Sequence, residues 1–332
     1  MTENPFATSA FNMAALTDAT NILPNTYGRT ESLGLFRTKP TRFRNIAIEE
    51  RNGVLNLLPT QLPGAPATVG IRAKRTVRTF TIPHIPHEDV VLPEEVQGIR
   101  AFGKENETEA LADILAEHLQ AMRNKHAITL EHLRMGALKG AILDADGSVR
   151  YNLYDAFEIT EKVVKFGLGT ATTDVKSKCL DVVRHIEDNL RGEFMTGVHA
   201  LISPAFFDAL TGHAKVKEAY ERWQEGAALR NDVRGGCGIT FEEYRGQATD
   251  LDGNVRRFIA AKEGHAFPMG TLDTFVTYLA PADFNETVNT LGRPLYAKQE
   301  PRRFDRGTDL HTQSTPLPMR LRPGVLVKLE AE

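Results

Sequence analysis

The stretch that decides the fold lies at residues 107–143 and reads ETEALADILAEHLQAMRNKHAITLEHLRMGALKGAIL. Apolar side chains recur in it every three or four residues and trace one stripe: Leu111, Ile114, Leu115, Leu119, Met122 and Ile128. Asn106 and Glu109 have the spacing of a capping box at its start. Gly136 and Gly140 weaken its second half. The pattern predicts one long amphipathic helix as the centrepiece of the structure.

Before this helix, residues 46–82 predict a long two-stranded hairpin. Ile46 and Ile48 alternate as in a strand, and a second β-branched run ends at Ile82. The Asn52-Gly53 pair is a type I′ turn signal, which also predicts a short strand at residues 54–58 that pairs back on the first. Prolines concentrate at the hairpin tip. A two-stranded ribbon is marginal in water, so the hairpin should rest on another subunit.

The chain on either side of these two elements completes an α+β pattern. Residues 1–44 show no sustained period and predict an extended arm that becomes ordered by lying on another surface. After a turn at residues 144–147, Val149, Tyr151 and Leu153 alternate as a strand. Two further helices are predicted, one with an apolar stripe from Val175 to Leu190 and one that begins at Ser203-Pro204.

The C-terminal part reads as short β segments, and the last predicted strand is Val325-Leu326-Val327. Helices and strands do not alternate regularly along the chain. A doubly wound parallel sheet is therefore disfavoured, and an α+β fold is expected.

The charge balance argues against a nucleic-acid binder. The 332 residues contain 40 Lys and Arg against 43 Asp and Glu, a formal net charge of -3. Cys179 and Cys237 form neither a CxxC pair nor a disulfide framework, which suits a reducing cytoplasm. No secretory leader or membrane-spanning stretch is recognised, so export and membrane insertion are not expected.

Candidate chemical sites are weak. His84, His87 and Glu88 could supply metal ligands, but the intervening prolines break any helical register, and structural histidines are the better interpretation. Asp144 and Asp146 resemble the start of a calcium loop whose remaining ligands are missing, so turn formation is favoured.

Several other patterns also fail as catalytic or cofactor sites. The Gly167-Leu168-Gly169 segment lacks the third glycine of a dinucleotide fingerprint. The neighbouring carboxylates Glu94-Glu95 and Glu242-Glu243 should point apart on a strand or loop, which makes them poor acid/base pairs. An enzyme whose site assembles from scattered residues stays open as an alternative, with these candidates: His118, His126, Asp144 and Tyr154. We expect no catalytic residue, cofactor or metal site.

Basic residues cluster on the hairpin without the aromatic side chains that stack nucleic-acid bases. An intersubunit salt-bridge face is favoured over a DNA contact. The residues expected to contact neighbouring subunits are Pro59, Pro63, Pro66, Arg72, Lys74, Arg75 and Arg78.

Ordered motifs over most of the chain, from about Ile46 to the C-terminus, carry a family resemblance. They read RTFTIPHIPHEDVVLPEEVQGIRAFG (residues 78–103), ITLEHLRMGALKGAILDADGSVRYNLYDAF (128–157), GGCGITFEEYRG (235–246), FPMGTLDTFVTYLAPADFNETVNTLGRPLYAKQEP (267–301) and QSTPLPMRLRPGVLVKL (313–329). Together they resemble the major capsid protein E family of lambda-like tailed bacteriophages. No single motif is diagnostic, whereas their ordered set is.

The resemblance implies the Hong Kong 97-type capsid fold. Its parts map onto an N-terminal arm at residues 1–45, an E-loop at 46–83 and a peripheral domain at 84–159 with a spine helix at 107–143. An axial domain would follow at 160–269, and the β segments of 270–332 would be shared between the axial and peripheral domains.

The implied function is that of a non-catalytic shell subunit. It would form hexamers and pentamers around phage double-stranded DNA, which it encloses without specific binding. The implied partners are copies of itself, a scaffolding protein, a portal and in some relatives a decoration protein. Assembly would take place in the host cytoplasm and the product would be the virion capsid. Among other virion proteins, a portal should be longer and more helical, and a tail tube protein shorter and nearly all β.

Overall fold

The computed structural model describes residues 13–22, 28–51, 75–96, 107–221, 233–234, 238–250 and 253–332. Helices and strands both contribute to the described chain. The α-helices are α1 (Met13–Ile22), α2 (Arg29–Ser32), α3 (Pro93–Val96), α4 (Glu107–Lys139), α5 (Leu153–Phe157), α6 (Val175–Asn189), α7 (Pro204–Gly212) and α8 (Ala214–Glu221).

The strands group into six sheets of two to six strands within the described chain. They are β1 (Arg37–Pro40), β2 (Asn45–Arg51), β3 (Arg75–Thr81), β4 (Ile85–Val91), β5 (Ala141–Leu143), β6 (Val149–Asn152), β7 (Lys162–Lys165), β8 (Gly197–Ile202), β9 (Val233–Arg234), β10 (Ile239–Glu243), β11 (Gln247–Thr249), β12 (Val255–Arg257), β13 (Glu263–Met269), β14 (Phe275–Leu279), β15 (Tyr296–Pro301), β16 (Thr308–Ser314), β17 (Pro316–Arg320) and β18 (Val327–Glu330).

Two compact units divide the chain, and each draws on separate stretches of sequence. The first unit takes its described residues from within Met1–Ile46, Thr81–Arg134 and Val276–Met319. The second takes them from within Ala47–Phe80, Met135–Phe275 and Arg320–Glu332. The C-terminal β segments therefore contribute to both units.

In the first unit, the N-terminal part of α4 packs on an antiparallel sheet in the order β15-β16-β4. Leu115, Leu119 and Met122 lie one helical turn apart and are at most 4% exposed. They share one core with the following residues: Leu16, Val91, Ala297 and Leu310. Leu16 belongs to α1, so residues 13–22 of the segment predicted as an extended arm form a helix that packs on its own unit. The predicted apolar stripe of the helix is confirmed at these positions, whereas the Leu111 side chain and Asn106 lie outside the described residues.

A second sheet of the first unit joins distant parts of the sequence. β1 runs parallel to β14, with Arg37 beside Val276 and Pro40 beside Leu279. β17 lies on the other side of β14. The backbone N–H of Thr41 donates to the carbonyl oxygen of Leu279 over 2.7 Å, which extends the contact beyond the end of β1.

The second unit is built on a six-stranded mixed sheet in the order β7-β18-β13-β8-β10-β9. β18 lies between β7 and β13, parallel to the first and antiparallel to the second. Two predicted helices belong to this unit. α6 begins after Asp174, whose side chain accepts from the Ser177 N–H, and α7 begins after Ser203, whose hydroxyl accepts from the Phe206 N–H. Both are confirmed.

The long helix ends earlier than predicted. α4 stops at Lys139 instead of Leu143, and residues 141–143 form β5. Gly140 has a φ of +91°, and a Cβ there would overlap the ring of Tyr154. The helix therefore ends where the backbone adopts a left-handed conformation that glycine allows without strain.

Two strand boundaries also differ from prediction. β6 ends at Asn152 because the Asn152 side chain accepts from the Tyr154 N–H and caps α5, so Leu153 starts a helix. The last strand begins at Val327, since Pro323–Val325 forms a turn of 3-10 helix. Proline at the first position of that turn favours helical backbone.

β2 and β3 pair in a two-stranded sheet, which agrees with a long hairpin over residues 46–82. The short strand predicted at residues 54–58 lies outside the described residues, and so does the Asn52-Gly53 turn.

Candidate assembly surfaces

The base of the β2–β3 hairpin is anchored within its own chain. Arg78 and Phe80 lie two residues apart on β3 and therefore point to the same face. The Arg78 guanidinium lies 5.4 Å from the centre of the Phe157 ring and its Nη2 is 3.9 Å from Glu158 Oε1. The Phe80 ring packs 6.0 Å from that of Phe157. These contacts fix where the hairpin leaves the body of the unit.

The local sequence positions Phe157, the residue that holds the base of the hairpin. α5 is one short helix that starts at the Asn152 cap and ends where Glu158 adopts a left-handed conformation with φ +55°. Phe157 is thereby held at the helix end with 5% exposure. Tyr151, just before the cap, adds an edge-to-face contact 5.4 Å from Phe80.

The opposite face of β3 is open. Val77 lies between Arg78 and Thr76 in sequence, so it points away from Phe157, and 56% of it is exposed. An apolar side chain on a two-stranded ribbon gains burial when another surface covers it.

Most residues predicted to contact neighbouring subunits lie outside the described residues: Pro59, Pro63, Pro66, Arg72 and Lys74. Arg75 is the first residue of β3, and its side chain is not described. Arg78 is described, and the contacts given above are with its own chain. Whether these residues contact a neighbouring subunit stays a prediction.

The first unit has an exposed apolar patch whose residues come from two segments that are hydrogen-bonded to each other. Phe43 is 71% exposed, Leu291 52% and Val288 65%. The Gly292 N–H donates to the Thr41 carbonyl oxygen over 3.0 Å, which brings the two segments together. This patch could not be predicted from the sequence, because an aromatic residue in an irregular segment is equally compatible with a buried core position.

The second unit carries another exposed apolar pair, Phe194 and Leu272, at 77% and 72% exposure. The residue before Phe194 is Glu193, and its Oε1 accepts from the Leu272 N–H over 2.6 Å. The two side chains therefore belong to loops in direct contact. This pair was also missed by the sequence analysis.

Two of the residues considered as metal ligands, His87 and Glu88, contact other side chains of the first unit. His87 Nε2 lies 3.1 Å from Lys125 Nζ, and Glu88 Oε1 lies 2.9 Å from His311 Nδ1. Burial lowers the pKa of both His84 and His87 from the ordinary histidine value. Among the residues that the structure describes, no three His, Cys, Asp or Glu side chains are grouped to hold a metal ion.

The four residues of the enzyme alternative contact four different sets of partners. His118 Nδ1 lies 2.8 Å from Asp89 Oδ2. Buried His126 contacts the hydroxyls of Ser314 and Thr312 over 2.8 and 3.0 Å. Asp144 pairs with Arg150, and the Tyr154 ring lies under the Arg320 guanidinium. The contacts given for each residue do not include the others.

The adjacent carboxylates act separately. Glu242 Oε2 lies 2.9 Å from His199 Nε2, whereas Glu243 pairs with Arg245. The two carboxylates therefore do not form an acid/base pair.

The predicted turn at residues 144–147 is present, because the Gly147 N–H donates to the Asp144 carbonyl oxygen over 3.0 Å. This hydrogen bond is that of a turn rather than of a calcium loop.

The remaining chemical features are structural. Cys179 is a fully buried residue of α6, and Cys237 lies outside the described residues. None of the helices in the described part of the chain is both long and apolar enough to span a bilayer.

Sequence comparisons identify the family of the chain. The family model described as phage major capsid protein E matches residues 12–331. The chain is 29% identical to the major capsid protein of Salmonella phage Felix O1, over 98% of this chain and 97% of that protein. It is 33% identical to the major capsid protein of Pseudomonas phage KPP10, over 88% of this chain and 89% of that protein.

Solved structures give the fold. A prophage protein of E. coli CFT073 described as a capsid protein superimposes with a TM-score of 0.66, at 12% identity, over 97% of this chain and 99% of that one. The capsid structure of cyanophage P-SCSP1u gives 0.52 at 11% identity, over 93% and 90% of the two chains. The α+β class expected from the sequence is confirmed. The chain therefore belongs to the phage major capsid protein E family, non-enzymatic structural proteins of the tailed-phage capsid shell, and has the Hong Kong 97-type capsid fold.

Proposed function

We propose that copies of this chain assemble as hexamers and pentamers into an icosahedral shell that encloses phage double-stranded DNA. The β2–β3 hairpin carries this proposal. Its base is held by Phe157, while Val77 on the other face is 56% exposed and no third described strand joins the pair. A ribbon of this kind gains stability by lying on a neighbouring subunit.

The energetics favour large contacts between subunits. Apolar burial stabilises by about 25 cal/mol per Å², so the open hairpin face contributes this free energy only when another copy covers it. Obligate interfaces of this kind bury on the order of 2,000 Å² or more. We infer that residues 46–83 act as the E-loop of such interfaces. We assign residues 1–45 to the N-terminal arm, whose described part packs on its own unit through Leu16 and through the pairing of β1 with β14.

The division of the chain supports one of the remaining assignments, the sharing of the C-terminal segments. We assign residues 84–159 to a peripheral domain, 160–269 to an axial domain and 270–332 to β segments shared by both, although residues 135–159 group with the unit that contains 160–269. Val276–Met319 groups with Thr81–Arg134, whereas Arg320–Glu332 groups with Met135–Phe275, as sharing requires.

The DNA is enclosed without being specifically bound. A formal net charge of -3 gives no overall attraction to phosphate, and tight binding would oppose packaging and ejection. Assembly in the host cytoplasm would use a scaffolding protein and a portal, with a decoration protein as a further partner in some relatives. These partners belong to the proposal.

Electron microscopy of the purified full chain, expressed with and without the phage's scaffolding protein, tests the proposed function. Closed shells or curved sheets with sixfold and fivefold clusters are the expected result. A small discrete oligomer at every concentration, with and without the scaffolding protein, would contradict the proposal.

A further inference from the structure

Two loops of the second unit form a rigid apolar rim. The first loop follows α6 and carries Phe194, and the second connects β13 to β14 and carries Leu272. Their side chains are 77% and 72% exposed. Met195 on the first loop and Met269 at the end of β13 are partly exposed. We call the four residues Phe194, Met195, Met269 and Leu272 the apolar rim.

A buried carboxylate holds the two loops together. Glu193 Oε1 accepts from the backbone N–H groups of Leu272 and Asp273, over 2.6 and 2.8 Å. Its Oε2 accepts from the Thr274 hydroxyl over 2.8 Å and lies 2.5 Å from Arg322 Nε. The Glu193 side chain is only 7% exposed.

The electrostatics of Glu193 match this clamping role. Burial alone would raise the pKa of the carboxyl, but the hydrogen bonds from Asp273 and Thr274 and the charge of Arg322 hold that pKa below its ordinary value. The carboxylate therefore stays charged at neutral pH and keeps its donors in place.

Backbone contacts add to the clamp. The Thr196 N–H donates to the Met269 carbonyl oxygen over 2.8 Å. Gly270 has a φ of +72°, and a Cβ there would lie 2.6 Å from the Thr196 hydroxyl. The loops can approach this closely only because residue 270 is glycine.

Rigid loops that present large apolar side chains to water indicate a binding surface. We propose that the apolar rim packs against a second copy of this chain within the assembled shell. This inference rests on the proposed function, and it identifies the apolar rim as one of the contacts between subunits that hold the proposed shell together.

Size and charge select the second copy as the occupant. Arg191 and Asp273 flank the rim with opposite charges, which offers no basic surface to nucleic acid. Burial of the rim would cover roughly 300 Å² per copy, since an aromatic side chain buries roughly 150–250 Å². A stable independent complex needs about 800 Å² per partner. A contact this small fits a surface that acts together with others, as happens when many copies of one chain pack side by side.

The test compares three full-length chains in one assembly assay: wild type, F194S/L272S and F194L/L272M. The serine variant removes apolar area from exposed positions, so its thermal unfolding should match wild type. Its yield of sedimenting shells should fall about tenfold, which corresponds to about 1.4 kcal/mol in the association equilibrium. The F194L/L272M chain keeps the rim apolar and should assemble like wild type.

A photo-crosslinking amino acid at position 194 gives a direct readout that does not depend on the serine variant folding. Irradiated shells should contain a product with twice the chain mass, linked through residue 194. Normal shells from F194S/L272S, or crosslinks from position 194 that reach only another protein, would overturn the rim contact while leaving the shell function intact. A wild-type chain that stays monomeric under all conditions would overturn both.

Discussion

The guanidinium carbon of Arg320 lies 4.2 Å from the centre of the Tyr154 ring, and both side chains belong to the second unit. Arg320 is fully buried. Burial lowers the pKa of Arg320 from its ordinary value, whereas Tyr154 and the charge of Glu161 act in the opposite direction. The ring face of Tyr154 is therefore one of the described contacts that stabilise this buried cation.

Tyr154→Ala should lower the free energy of unfolding by about 3 kcal/mol or more, because it leaves a cavity beside a buried charge without its partner. Tyr154→Phe keeps the ring face and should lose much less. Urea unfolding of the two variants measures the difference. Equal losses would mean that the phenolic hydroxyl, rather than the ring, stabilises Arg320.

His126 predicts a loss of stability in acid. Burial lowers its pKa to about 3, so the folded protein keeps it neutral while the unfolded chain is protonated below about pH 6.5. The unfolded state then binds more protons, and the free energy of unfolding should fall by up to about 1.4 kcal/mol per pH unit between pH 6.5 and pH 3. Above pH 6.5 this histidine should contribute no pH dependence. Urea melts at pH 7.5, 6.5, 5.5 and 4.5 measure the slope.

The matched variant for this prediction is His126→Gln, which can still bond to Ser314 and Thr312 but does not titrate. Its slope below pH 6.5 should be smaller than that of wild type. An unchanged slope would show that other groups, such as the buried His265 with a pKa lowered to about 3, account for the acid sensitivity.

The N-terminal part of α4 should control the stability of the first unit. Leu115→Asp or Leu119→Asp places a carboxylate in the core that these residues share with Val91 and Leu310, at a cost of roughly 3–5 kcal/mol. That is a large fraction of a typical domain stability, so soluble protein should be lost. Expression and thermal melts provide the measurement. Glu117→Gln, on the exposed face of the same helix, is the control and should melt like wild type.

Deletion of Gln61–Ala67 should separate folding from assembly. These residues lie at the proposed tip of the E-loop, beyond the hairpin base that Phe157 anchors. The shortened chain should remain soluble with an unchanged melting temperature but form no shells in the electron microscope. Normal shells from the deletion would rule out a role for the tip in contacts between subunits.

Duplex DNA should bind weakly to unassembled subunits. At physiological salt little DNA should be retained, and binding at low salt should disappear steeply as salt rises, because counterion release drives such contacts. A salt-titrated filter-binding curve gives the measurement. Single changes of Arg72, Lys74, Arg75 and Arg78 to Gln should impair assembly before they alter DNA retention. Tight, sequence-selective binding that those changes abolish would contradict an enclosing role.

Local signals explain why part of the fold could be predicted from the sequence. The Ser203-Pro204 start of α7 depends on a cap and a first-turn proline within two residues, and the stripe of α6 is a property of one helix. The pairing of β1 with β14 joins residues 37 and 276, and no pattern near either strand specifies its partner. Sheet order was therefore beyond sequence analysis, although the family resemblance implied the fold as a whole.

Of the candidate surfaces, too, one could be predicted from the sequence and another could not. The hairpin was predictable because turn residues and β-branched residues are local signals. The apolar rim was not, since the Glu193 hydrogen bonds that bring the loops of Phe194 and Leu272 together join residues up to 80 positions apart. The charge of Arg78 suggested a contact with a neighbouring subunit. The structure places its guanidinium on Phe157 of its own chain, and the contact with a neighbour stays a prediction.

The position of β18 inside the six-stranded sheet bears on how the chain folds during synthesis. β7, β8 and β13 leave the ribosome long before residues 327–330, yet β7 and β13 are joined only through those residues. A nascent chain that stops short of Val327 exposes two unpaired strand edges, which invite aggregation or proteolysis. The six-stranded sheet of the second unit can therefore be completed only after residues 327–330 have been translated, so its assembly ends late in synthesis.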